Sequence, residues 1–249
     1  MENLIEVIGA GMRFIMEQER TDTLKEYLVK LVRRNLKYTG FTALKDVSFS
    51  VRRGDSVALI GQNGSGKSTM LKLIAGVMEP TSGSVRVRGS IAPLIELSAG
   101  FDVDLTGREN VFLNGALLGY KRPYMERIYD EIVDFAELHE FIDVPVRSYS
   151  SGMIARLGFS IATHVQSDIL VVDEVLAVGD YNFQQKCYRR MEEMLDTGRT
   201  LLFVSHDAEQ VKRLCRRAVW LDHGMLMRDG PSDQVCDAYL DWMQKREAQ

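Results

Sequence analysis

Apolar and polar positions along the chain follow two rhythms. Val47, Phe49 and Val51 alternate with Ser48, Ser50 and Arg52, which predicts a strand with one buried face. Residues 57–60 (Val-Ala-Leu-Ile), 169–172 (Ile-Leu-Val-Val) and 200–204 (Thr-Leu-Leu-Phe-Val) are continuous apolar runs, the pattern of short strands covered on both faces. Weak alternation over residues 3–8 predicts a first strand, followed by Gly11-Met12-Arg13-Phe14. The turn Glu79-Pro80-Thr81-Ser82-Gly83 precedes a short strand around Val85 and Val87, and residues 91–95 form another apolar run. Residues 96–110 read as loop. Helical spacing appears at Met70, Leu71, Leu73 and Ile74, at Ile128, Ile132 and Phe135, and at Ile154, Leu157 and Ile161. Residues 218–228 read as a hairpin turning at Asp222-His223-Gly224, and residues 231–249 as a polar helix. Strands alternating with helices predict an α/β fold with a mostly parallel sheet, whose ligand belongs at the carboxyl ends of the strands.

A further helical pattern precedes the first alternating strand. Leu24, Leu28, Leu31 and Asn35 share one stripe, with Tyr27 and Val32 beside it and Thr21 or Asp22 as its cap. Lys25, Lys30, Arg33, Arg34 and Lys37 are set against a single acid, Glu26. Two readings are open: a basic amphipathic helix on a membrane surface or partner, or a helix on the protein's own core with a solvated basic face.

Composition narrows the class. The chain has 249 residues, 45% hydrophobic and 27% charged, enough for a substantial core. Its net charge of −4 argues against a dedicated nucleic-acid binder. Cys187, Cys215 and Cys236 form no C-x-x-C and are expected as reduced thiols. No apolar run approaches the ~18 residues of a spanning helix. The start, Met1-Glu2-Asn3-Leu4, has no secretory pattern.

The chemistry gathers around Gly61-Gln62-Asn63-Gly64-Ser65-Gly66-Lys67-Ser68-Thr69, which fits G-x-x-x-x-G-K-[ST] between a strand and a helix. Glycines there let backbone N–H groups turn inward as an anion nest, and the helix start adds positive partial charge. Lys67 is expected on the β- and γ-phosphates and the Ser68 hydroxyl on Mg²⁺. Asp173 and Glu174 end an apolar strand and suit an outer Mg²⁺ ligand and a polarising base for the attacking water. His206 ends a third strand, in reach of a γ-phosphate. Ser150-Ser151-Gly152 opens a helix and reads either as an ordinary N-cap or as a second anion nest for another copy's phosphates.

Taken together, the phosphate loop, Ser150-Ser151-Gly152, Asp173-Glu174, Asp180 and His206 stand in an order that resembles the nucleotide-binding subunit of an ABC transporter, over about residues 44–230. The resemblance implies a P-loop ATPase fold in one domain over residues 1–249, with an antiparallel β subdomain, a helical subdomain over about 98–163 and a short helical tail at 231–249. It implies ATP and Mg²⁺ as ligands, Glu174 as catalytic base, His206 as switch histidine, and Asp180 as a dimer contact. Two subunits would sandwich two ATPs, each signature segment facing the other's phosphate loop. Tyr149-Ser150-Ser151-Gly152-Met153 stands in place of Leu-Ser-Gly-Gly-Gln, and Glu96 or Leu97 stands where a glutamine is usual. These departures, Leu105-Thr106-Gly107-Arg108-Glu109-Asn110 and a helical insertion at 15–40 are similar to the ATPases that export bacterial surface polysaccharides: O-antigen, capsule or teichoic acid. That resemblance implies a homodimer at the cytoplasmic face of the plasma membrane, held there by a separate multi-spanning permease, with no nucleic-acid partner. It makes Phe14, with Tyr38 second, the adenine-stacking residue, and no additional C-terminal carbohydrate-binding domain is expected. The alternatives are an importer or drug-exporter subunit, or a soluble ABC ATPase acting on nucleic acid or ribosomes.

Overall fold

A computed structural model describes residues 2–17, 38–94, 100–173 and 180–247. Two sheets organise them. The antiparallel sheet has the order β2-β1-β4, with β1 at Asn3–Glu17, β2 at Tyr38–Arg52 and β4 at Ser82–Val87. The larger sheet has the order β5-β6-β7-β3-β8-β9. Its strands are β3 (Ser56–Ile60), β5 (Ile91–Leu94), β6 (Ile169–Val172), β7 (Thr200–Ser205), β8 (Arg217–Asp222) and β9 (Met225–Pro231). All neighbours in it are parallel except β8 and β9, which pair as the predicted hairpin.

The apolar runs are continuous because both faces of this sheet are covered. Side chains alternate across a strand, so each run divides between two cores. Ala58, Ile60, Leu170, Val172, Leu201 and Phe203 face a core shared with α2 (Gly107–Leu117), α3 (Arg122–Ala136), α4 (Ser151–His164) and α5 (Tyr181–Asp196). Val57, Leu59, Val171, Leu202 and Val204 face the antiparallel sheet and α1 (Lys67–Ile74). The helices α6 (Ala208–Leu214) and α7 (Ser232–Glu247) complete the chain. Cys187, Cys215 and Cys236 are buried free thiols.

The structure departs from the sequence expectations in four places. The first strand runs to Glu17 rather than ending near residue 8, because register shifts after Val7, Ala10 and Met12 break the alternation that would have revealed it. Residues 15–17 and 38–40 are therefore strand, and the expected helical insertion at 15–40 loses both ends; residues 18–37, with the basic stripe, lie outside the described residues. Residues 107–110 are helix, not loop, started by a capping box between Thr106 and Glu109. The tail helix α7 is not polar all round, since it buries Val235, Cys236 and Tyr239.

Candidate nucleotide site at the carboxyl ends of the strands

The sheet register brings three sequence motifs to one edge. Ile60 pairs with Ser205, and Val172 pairs with Phe203. Because β7 lies between β6 and β3, the residues that follow these strands, Asp173, His206 and Gly61, leave the sheet side by side.

The loop after β3 is shaped by close packing. Gly66 is the N-cap of α1 with φ 108, and no side chain caps the helix. A Cβ at Gly66 would meet Leu44 Cδ2 at 2.8 Å and Ala43 O at 2.9 Å, so only glycine fits. The N–H groups of the first turn have no partner within the helix, which suits them to an anion. Lys67 is 6% exposed, and its Nζ donates to Gly61 O at 2.6 Å and Gln62 O at 3.1 Å. Ser65 Oγ is buried without a hydrogen-bond partner. The loop is braced from behind by the β8–β9 turn, where the Gly224 N–H donates to Ser65 O at 3.0 Å and the Lys45 N–H donates to Gly224 O at 2.7 Å.

A cavity of about 250 Å³ opens above this loop. Asn63, Gly64 and residues 66–69 line it, together with Asp173 from the end of β6 and Phe41 and Ala43 from β2. Ser68 and Asp173 thus supply hydroxyl and carboxylate oxygens to one space, a donor set that fits a hard cation such as Mg²⁺. His206 is exposed and not part of the cavity wall; Asp207 beside it caps α6 through Glu209 N at 2.9 Å. Phe14 sits directly across the β1–β2 pair from Phe41 and packs against the core that holds α1. Directly paired residues share a face of the sheet, so the two rings are neighbours. The sequence reading missed Phe41, which is 50% exposed on the cavity wall; an aromatic on an interrupted alternation carries no signal of its own. The side chain of Tyr38 lies outside the described residues, as do Glu96 and Glu174.

The segment 150–152 borders a different cavity, of about 340 Å³, with Arg156, Asp180 and Glu137. Ser150 caps α4, its Oγ accepting from the Met153 N–H at 3.2 Å. Asp180 caps α5 through Phe183 N at 3.0 Å and pairs with Arg156. Tyr149, the first departure from the usual signature, is a structural residue. Its hydroxyl donates to Phe141 O at 2.6 Å, and burial pushes its pKa up to about 12. A Cβ at Gly107 would come within 2.3 Å of that hydroxyl, so the tyrosine and the glycine go together.

The family described as ABC transporter matches residues 44–177, more than half of the chain, from within β2 to just past β6. The chain belongs to the ABC transporter family. An O-antigen export system ATP-binding protein, RfbB of Klebsiella pneumoniae, is 49% identical over 82% of this chain and 83% of its own length. A teichoic acids export ATP-binding protein, TagH of Bacillus anthracis, is 44% identical over 82% of this chain but only 37% of its own length. Among solved structures, an ATP-binding subunit of an ABC transporter covers 99% of this chain with a TM-score of 0.77 at 23% identity. A dimeric ATP-binding cassette, MJ0796 with ADP and Pi, covers 92% with a TM-score of 0.73 at 21% identity. The fold is thus that of an ABC ATPase cassette, and the cavity over residues 63–69 is its candidate nucleotide site.

Proposed function

We propose that this cassette is the ATP-hydrolysing subunit of an exporter of cell-surface polysaccharide, working as a homodimer on a separate multi-spanning permease at the cytoplasmic face of the membrane. The O-antigen and teichoic acid export names of its relatives support the substrate class. The observation that carries the catalytic reading is the meeting of Lys67, Ser68 and Asp173 in one cavity at the strand ends. ATP phosphates take the N–H groups of residues 61–69, and Lys67 turns from the loop carbonyls to the β- and γ-oxygens. Ser68 and Asp173 would hold Mg²⁺, which neutralises developing phosphate charge when bound. Glu174 polarises the attacking water, His206 reaches the γ-phosphate from the adjacent strand, and Glu96 takes the sequence position where a glutamine is usual. Phe14 and Phe41 stack on the adenine.

The dimer reading rests on Gly152. It lies in the first turn of α4, and glycine is among the poorest helix formers. Its φ is not in the left-handed region, and a Cβ there would meet nothing closer than Ser150 Oγ at 3.7 Å. Nothing among the described residues of its own chain requires a glycine. A second subunit's γ-phosphate approaching Ser150, Ser151 and Gly152 does, because the backbone N–H groups must come close. Asp180 lies on the same side and contacts that subunit.

The export reading is tested in cells whose only copy is Glu174→Gln. Polymer synthesis should continue while surface polymer disappears and lipid-linked polymer accumulates inside. Unchanged surface polymer would contradict export and leave the ATPase assignment standing.

A further inference from the structure

Arg156 lies one and a half turns into α4, on the same helix as the segment 150–152. Its guanidinium forks between two other elements. Nη1 donates to Glu137 Oε2 at 3.1 Å, at the left-handed C-cap of α3, and Nη2 donates to Asp180 Oδ2 at 2.5 Å, at the N-cap of α5. Its Cζ lies 4.8 Å over the Phe183 ring. Glu137 is held from its other side by Lys186 of α5, whose Nζ is 2.9 Å from Glu137 Oε1 and 2.9 Å from Phe135 O. The Arg156 side chain is 19% exposed, whereas those of Glu137 and Asp180 are 53% and 60% exposed. Pairs with carboxylates this exposed add little to stability. What the fork does supply is geometry, because one planar group fixes two carboxylates on two elements at once. Both acids stay charged at neutral pH. The Phe183 N–H, then Arg156, holds the Asp180 carboxyl below the usual range, and Lys186, then Arg156, does so for Glu137.

We infer that Arg156 is a positioning residue for ATP hydrolysis: it locks residues 150–152 and Asp180 into one arrangement, so that both meet the second subunit's nucleotide together. The inference rests on the proposal that residues 150–152 act in trans. Arg156 lines no part of the chain's own phosphate-loop cavity, so its loss should leave ATP binding by the monomer intact and slow the step that needs two subunits.

The test compares wild-type, Arg156→Ala, Arg156→Lys and Gly152→Asp chains for ATP affinity, Tm, ATP-driven dimerisation and kcat. Arg156→Ala should bind ATP as wild type does, while kcat falls by roughly 10- to 100-fold, the loss expected when reacting parts are misplaced by about an ångström. Arg156→Lys keeps the charge without the fork and should fall between the two. Wild-type kcat in a folded Arg156→Ala chain would overturn the inference. If Arg156→Ala loses its fold, Arg156→Lys decides: slow turnover with normal ATP affinity supports positioning, and wild-type turnover overturns it. Normal hydrolysis by Gly152→Asp would remove the trans reading underneath. An inactive Gly152→Asp beside a fully active Arg156→Ala would overturn the Arg156 inference alone.

Discussion

Gly224 never touches the phosphate-loop cavity, yet it holds the shape of the loop that does. Its φ is 77, and its N–H supports Ser65 while its carbonyl receives Lys45. A Cβ there would meet Ala43 O at 2.4 Å and Leu44 Cα at 3.1 Å, both backbone atoms that cannot swing aside. Gly224→Ala should therefore cost about 1–3 kcal/mol of stability, from strain in a left-handed position. The same change should weaken ATP binding several-fold, because the displaced backbone carries the loop with it. Chemical denaturation and nucleotide titration of the purified variant check both; unchanged ATP affinity would mean that the hairpin is not a brace. At this scale the meeting of Lys67, Ser68 and Asp173 in one cavity was legible, because the G-x-x-x-x-G-K-[ST] spacing and the apolar run before Asp173 set them at strand ends. Gly224 was legible as the turn of a hairpin but not as a support for the phosphate loop, and Phe41 and Arg156 were not legible. Each acts through a partner far away in sequence, and no local pattern points across such a gap.

Among the elements, the far end of the sheet carries a tie of a different kind. Asp168, just before β6, accepts from Arg53 Nη1 at 2.7 Å and from the Ser90 N–H at 2.9 Å. It thereby joins the turns that precede β3, β5 and β6. Arg53 first, then the Ser90 N–H, lowers its pKa from 3.8 to about 2. A carboxyl whose pKa is lower in the folded state stabilises the fold above its unfolded pKa, and that contribution is lost as pH falls from about 4 towards 2. Arg53 is half exposed, so solvent screening limits the contribution to about 1 kcal/mol. Asp168→Asn should lower Tm at pH 7 and lower it progressively less as pH falls through about 2, with kcat unchanged at neutral pH because the tie lies at the opposite end of the sheet from the phosphate-loop cavity. Thermal melts across that pH range check it; an equal loss at both ends would rule out the charge. Elements were legible where one rhythm ran unbroken, as in β3, β6 and β7, all fully buried. Strand β1 was cut short in the reading because its bulges shift the alternation. The spacing of Phe183, Cys187, Met191 and Met194 does mark α5, and Thr106 with Glu109 does mark the start of α2.

On the scale of the whole molecule, one asymmetry organises the account. The phosphate loop with its lysine and carboxylate forms one cavity, and the segment 150–152 with Asp180 borders another. On the proposed reading these are two half-sites facing different spaces, which two copies would join into two complete ones. The α/β architecture followed from the alternation of strands and helices, whereas this separation did not, because it depends on where packing against α3 and α5 carries α4. The most direct test mixes two variants, Lys67→Ala and Gly152→Asp, each inactive alone. A carboxylate at Gly152 sets negative charge against the partner's γ-phosphate in a partly dry site. In the mixed dimer one composite site carries both lesions and the other carries neither. ATP hydrolysis measured across mixing ratios should rise from the baseline, peak near equal amounts and fall again. A flat baseline, with Gly152→Asp also failing to bind ATP as a monomer, would place residues 150–152 in their own chain's pocket and contradict the account.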